Sequence, residues 1–155
     1  MTPEETLRAT TEYLKNLQAM KTHHVAVGLP ASKVGDKKYE GGVSVIEVGA
    51  AHEFGTEDLE ERSFLRGPFT IKKSEINRAI EAQVAAIGSG QKDANTALNL
   101  IGIVARNISV KAFETGGYGT WPDIKEATKK AKGSTAILVD KGELRGDIAW
   151  EVRSE

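Results

Sequence analysis

Two long helical patterns joined by Gly88-Ser89-Gly90 constrain this chain more than any other feature. Pro68 opens the first, and Phe69, Ile71, Ile76, Ile80, Val84 and Ile87 recur at the spacing of one helix face. Asp93 is placed to cap the second, which runs to about Glu114 through Leu98, Ile101, Val104, Ala105, Ile108 and Phe113. A connection this short, with glycine in it, predicts an antiparallel pair. At 155 residues the rest of the chain has room for one domain around that pair and no second one.

The flanking segments predict the remaining elements. Thr2, Pro3 and Glu5 form an N-cap, a proline at the first helical position and a capping-box carboxylate. A helix over 3–20 follows, with Leu7, Thr10, Leu14, Leu17 and Met20 as its buried stripe. His24 to Leu29 changes to strand character and stops at Pro30. Residues 31–42, with lysines, an aspartate and three glycines, read as an exposed, mobile loop. Val43 to Phe54 is ambiguous by periodicity, and Gly55 just beyond it favours a helix. Glu57, Asp58, Glu60 and Glu61 make a polar loop.

Gly116-Gly117-Tyr118-Gly119 is expected to break the helix into a flexible loop over 115–122. Trp121-Pro122 is extended, because proline biases its predecessor away from helix. Asp123 to Lys132 predicts a short helix with lysines outward, Ala136 to Val139 a buried strand, and Asp140-Lys141-Gly142 a turn. Glu143-Leu144-Arg145 reads as one helical turn, and Ile148 to Val152 as a strand with alternating faces. The expectation is an α+β domain over 1–155, a small, mainly antiparallel sheet packed on two or three long helices.

Composition removes several function classes. Hydrophobic content of 39% and charged content of 28% are those of a globular domain. A formal net charge of -1 supplies no global attraction to nucleic acid or to an anionic membrane. With no cysteine there is no disulfide framework, thiolate metal site or thiol catalysis. No apolar run reaches the roughly eighteen residues of a membrane span. The acidic start is unlike a secretory n-region, so export by a classical signal is not expected.

No catalytic constellation emerges. His23 and His24 are adjacent on a strand, so their side chains leave opposite faces and do not converge on one ion. His52-Glu53 lacks the second histidine of a helical zinc site. The 116–119 glycines follow a helix and lack the lysine-serine or lysine-threonine ending of a phosphate loop. The acidic loop is too crowded and polar to suggest tuned acid–base partners, and no Gly-x-Ser-x-Gly elbow occurs. Lys125, Lys129, Lys130 and Lys132 form a basic patch near Tyr118 and Trp121, read as a solvated face or as a contact for phosphates or an acidic partner. A small metal-dependent hydrolase using His23 and His52, or a DNA-binding module using the 123–132 lysine helix, are the alternatives. No catalytic, cofactor-binding or metal-binding residue is assigned.

Two sets of motifs carry a resemblance. Glu53-Phe54-Gly55-Thr56 closes a helix and is followed by Ser63-Phe64-Leu65-Arg66. Further on come Trp121, Thr128, Lys132-Gly133, Leu138, Asp140, Gly142, Leu144-Arg145 and Ile148. In that order, over roughly residues 43–153, the chain resembles the neck and tail-completion proteins of tailed phages, the HK97-like tail-completion and virion-morphogenesis families. It departs from their pattern at Ser63, where proline is frequent, at Lys141, where a small hydroxyl residue is usual, and at Asp147, where serine is common.

The resemblance implies a structural protein of the head–tail joint and no enzyme. The implied assembly is a homo-oligomeric ring that docks on tail tube or terminator proteins and on head–tail connector proteins. DNA would pass through it without sequence-specific binding, and no membrane is involved. The implied location is the virion, after assembly in the host cytoplasm. Interface candidates are Arg66, Tyr118, Trp121, Lys129, Lys130 and Arg145. Gly55, Gly133 and Gly142 are expected in turns of positive φ. Phe54, Phe64 and Trp121 are expected to pin loops onto the small sheet.

Overall fold

The computed structural model describes residues 1–39, 41–124 and 142–155. The expected strand 136–139, Gly133, Lys129, Lys130 and the body of the expected 123–132 helix lie outside them. Asp123 and Ile124 themselves are not helical.

Helix α1 (Pro3–Thr22) starts as its sequence predicts. Thr2 Oγ1 accepts the Glu5 N–H at 3.2 Å, and Glu5 accepts the Thr2 N–H at 2.6 Å. Its expected burial is not observed: no α1 residue is buried. Of the expected stripe, Leu7 and Leu14 stay exposed while Met20 faces the body, together with Asn16 and Ala19. Ala19 and Met20 pack on Ile87, Ala94 and Ala97, and Asn16 Oδ1 accepts the Ala94 N–H at 2.9 Å.

Strand β1 (His23–Gly28) pairs antiparallel with the C-terminal strand, placing Val25 opposite Val152 and Val27 opposite Trp150. The described 31–39 segment is not a free loop. It forms a short helix α2 (Ala31–Val34) with Val34 in the core, and Lys38 bridges to Ser44. Lys37 and Tyr39 both reach Asp147, at 2.7 and 2.9 Å, so long-range polar bonds fix a stretch whose composition suggested mobility.

Helix α3 (Val45–Phe54) is capped by Ser44 and Glu47 and stops at Gly55, whose φ is 74°. The expected helix from Pro68 is two helices, α4 (Arg66–Ile71) and α5 (Lys73–Gly88), separated at Lys72. Each packs separately on α6, and the break lets them do so. Helix α6 (Ala94–Gly119) is N-capped by Asp93, which accepts from the Thr96 N–H at 2.8 Å. Ile87 at the end of α5 meets the start of α6, and Lys72 before α5 meets Tyr118 at its far end, so the pair is antiparallel as expected. Helix α7 (Glu143–Asp147) begins after Gly142, with φ 63°, and leads into β2 (Ala149–Ser154).

The result is an α+β fold: a two-stranded antiparallel ribbon packed against helices, with α6 as its spine. Ala97, Leu98, Ile101, Ala105, Ile108, Ala112 and Phe113 supply the buried face of α6. The sheet approaches it at Gly102, where a Cβ would lie 2.3 Å from the Trp150 ring, and Trp150 Nε1 donates to Asn99 at 3.0 Å. The main core joins Val34, Val45, Phe64, Phe113, Leu144 and Ile148. Among the described residues no helix is long and apolar enough to cross a membrane.

Candidate functional site

The motif segments converge on Glu53. This last-turn residue of α3 is only 4% exposed. The α4 start has no side-chain cap of its own, because its N-cap position is Leu65. Glu53 caps it from another element. Its carboxylate accepts the N–H groups of Phe64, Leu65 and Arg66 at 2.8, 3.0 and 3.0 Å, the Ser63 hydroxyl at 2.8 Å and Arg66 Nε at 2.9 Å. The α4 N–H groups and helix dipole favour an anion there. Burial pushes the Glu53 carboxyl up, and the bonds from Arg66, Ser63 and Leu65 outweigh it, holding the group below the usual carboxylate value.

Ser63 has a second bond to make. Its hydroxyl oxygen accepts the Gly67 N–H at 2.8 Å, one that a proline here would lack. The Ser63 carbonyl accepts Trp121 Nε1 at 2.9 Å, and the Phe64 carbonyl accepts the Ser109 hydroxyl at 2.6 Å. Phe113 stands between Phe64 and Trp121 with both ring centroids 5.5 Å away, the second contact edge-on. Phe64 and Trp121 therefore anchor on α6 rather than on the sheet. Phe54 departs from the expectation altogether: it is 63% exposed, with the Arg66 guanidinium 4.4 Å over its ring.

The 115–122 segment is a defined turn, not an open loop. Gly116, Gly117 and Tyr118 have φ of 59°, 66° and 59°. The left-handed region is open to glycine and uncommon for tyrosine. Tyr118 is held there by its N–H to Thr115 Oγ1 at 3.0 Å and its hydroxyl to the Ile108 carbonyl at 2.9 Å, with Lys72 4.8 Å from its ring. Burial raises the Tyr118 phenol, helped by Glu75 and Glu114. Trp121 lies against Gly117, where a Cβ would stand 2.3 Å from the indole.

Of the interface candidates, Arg66 and Trp121 share one shallow groove, with Glu61, Ile71 and Thr120 on its walls. Arg66 is engaged within the chain, by Glu53 and by Glu61 at 3.0 Å. Tyr118 lines a neighbouring hollow with Lys72, Val104 and Lys111. Arg145 faces Glu114 at 3.7 Å instead. His23, considered above for metal, bonds through Nδ1 with the Ala19 carbonyl at 2.9 Å. Among the described residues no three His, Asp or Glu side chains are grouped to hold an ion.

Sequence reasoning missed Glu53 as a cap and the second fastening at Asp147. There, burial and the bond to Asp147 push the Tyr39 phenol up. Gly102 was a visible signal, since glycine inside a helix costs stability and marks a close approach. No family model matches the chain, and neither a curated protein nor a solved structure does.

Proposed function

We propose that the chain is a structural phage virion-assembly protein of the head–tail joint, a tail-completion or neck component. It works by contact: copies form a ring, the ring docks on tail and connector proteins, and DNA passes through without sequence-specific binding. Its proposed place is the virion, reached from the host cytoplasm. One observation carries this reading. Segments on which the family resemblance rests, 52–56 and 63–66 about ten positions apart and Trp121 58 positions beyond Ser63, share the Glu53 junction, and their polar groups bond one another. Residues engaged that way hold a scaffold in shape. Apolar side chains such as Phe54, Ile46 and Ile71 remain on the surface, where neighbouring subunits can cover them.

The test is electron microscopy of particles made when this gene is deleted from its phage or prophage. DNA-filled heads lying apart from tails are the expected result, and abnormal tail length would further assign it to terminating the tail. Fully joined, normal particles would overturn the reading. Strong, salt-dependent DNA affinity of the purified chain would then favour a nucleic-acid role.

A further inference from the structure

Strand β2 is paired on one side only. It lies opposite β1 in one continuous register, and the Glu155 N–H donates to the Thr22 carbonyl at 2.9 Å in that same register. Bonded pairs alternate along an antiparallel ladder. The pairs that bond one another are therefore His24 with Arg153, Ala26 with Glu151 and Gly28 with Ala149. The N–H and C=O groups of Trp150, Val152 and Ser154 point the other way, out of the ribbon's edge. Among the described residues no backbone or side-chain group bonds them.

The two edges of the ribbon are not alike. Helix α1 packs against β1, and the Leu65 side chain sits beside Gly28, where it would lie 3.5 Å from a Cβ. On β2, Arg153 and Ser154 are exposed. Native edge strands are commonly blunted by a proline, a bulge or a lysine. From Ala149 to Ser154, β2 has none of these, and its register is unbroken. Trp150 packs on Gly102 of α6, so by alternation Glu151 and Arg153 share the face turned away from α6. Arg153 Nη2 lies 2.7 Å from the Glu151 carboxylate, and the arginine side chain is 50% exposed. Glu151 also accepts the Ser32 hydroxyl, which holds it on that face.

We propose that the open edge of β2 pairs antiparallel with the same edge of a second copy, about a twofold axis at Val152. In that register Val152 bonds Val152 and Trp150 bonds Ser154, through the outward groups of both strands. Glu151 of each strand then stands directly opposite Arg153 of the other on one face, so charges of alternating sign surround the axis. Opposite charges directly across a sheet attract, and like charges repel. Sliding the second strand by two residues is the smallest step that keeps the faces matched. In one direction it sets Glu151 against Glu151, and in the other Arg153 against Arg153. The charges thus select a second copy and a single register. The contact is isologous, unlike the head-to-tail contacts that close a ring, and it does not rest on the assembly reading.

The experiment combines sedimentation of the purified full chain, over a wide concentration range, with amide hydrogen exchange. The weight-average mass is expected to rise from 16.7 kDa toward twice that value. As it does, exchange at Trp150, Val152 and Ser154 should slow about tenfold or more, while Val25 and Val27 on the other edge keep their rates. Arg153→Glu alone should weaken pairing about tenfold, and so should Glu151→Arg alone. Mixing these two chains should restore it, because each then faces the opposite sign. Ser154→Pro removes an outward N–H and no bond to β1. It should weaken pairing and leave the unfolding midpoint of the dilute protein unchanged.

Monomer at every concentration would assign the edge to a different occupant and overturn the proposal. So would a mixture of the charge variants that stays monomeric although each chain is folded. A larger species in which the outward amides of β2 exchange as before would also overturn it, while leaving the ring reading to stand on the deletion particles.

Discussion

Among the described residues the starts of α1, α3 and α4 each have a glutamate in the cap, and the first and last of them live in opposite surroundings. At α1, Glu5 belongs to a local box with Thr2, on an arm in water. At α4, Glu53 comes from a different helix and is enclosed by the segment it caps. The chemistry is the same, a carboxylate accepting N–H groups that have no helical partner. The setting decides what it is worth. Water can replace Glu5 as an acceptor within one turn of the arm, whereas nothing replaces Glu53 without opening the packing of α3, α4 and α6. A cap is a local convenience in the first case and a tertiary fastener in the second.

Removing the fastener should produce the largest effect. Glu53→Ala leaves the N–H groups of Phe64, Leu65 and Arg66 without their acceptor, and the expected loss is about 3–5 kcal/mol of unfolding free energy. Urea unfolding measures it. A loss below about 1 kcal/mol would mean that the junction relaxes easily and that the contrast with α1 is not real.

The same carboxylate should also govern acid stability. Its folded pKa lies below the unfolded value, so its contribution is present above the ordinary carboxylate pKa of about 4.3 and fades as pH falls through the lower folded value. Thermal midpoints measured from neutral pH down to about 2 should therefore fall along a steep acid limb. Glu53→Gln, which cannot ionise, should be less stable at neutral pH and show a shallower limb. Parallel acid limbs in the two proteins would assign acid sensitivity to other carboxylates.

A smaller effect is expected where the sheet meets α6. At Gly102 an added methyl would stand 2.3 Å from the Trp150 ring, and the ring is itself tied to Asn99. Gly102→Ala gains helix propensity of about 1 kcal/mol but must displace the indole, with an expected net loss of about 1–2 kcal/mol. Near-ultraviolet circular dichroism of the tryptophans should change with it. A stabilised variant with an unchanged spectrum would show that the indole shifts freely.

How much of this was readable beforehand follows the same division. Local chemistry was: the Thr2 and Asp93 caps, the stop at Gly55, the face of α6 and the antiparallel helix pair all depend on neighbours within a turn or two. The terminal strand could be read from its alternation. The junction could not, because a glutamate at the end of a helix looks like any solvated acid until the chain returns ten residues later to meet it. The 31–42 segment misled for the same reason, since its glycines and lysines describe a loop while Lys37 and Tyr39 are held by Asp147, about 110 positions on, and Val34 by the core. The stripe of α1 misled in the opposite direction. Its Met20 end packs on Ile87, Ala94 and Ala97, but the spacing does not show that Leu7 and Leu14 stay exposed.

The smallest expected effect is therefore the most discriminating one. Thr2→Ala removes the capping box of α1, a loss of about 1 kcal/mol to the first turns of that helix. In the exposed first turns, this free energy is little coupled to the core. Global unfolding by urea should stay within about 0.5 kcal/mol of the parent, while amide exchange speeds up over the first turns alone. A global loss in dilute solution as large as the local one would mean that the arm is coupled to the body through Asn16 and Met20. The two caps would then differ only in degree.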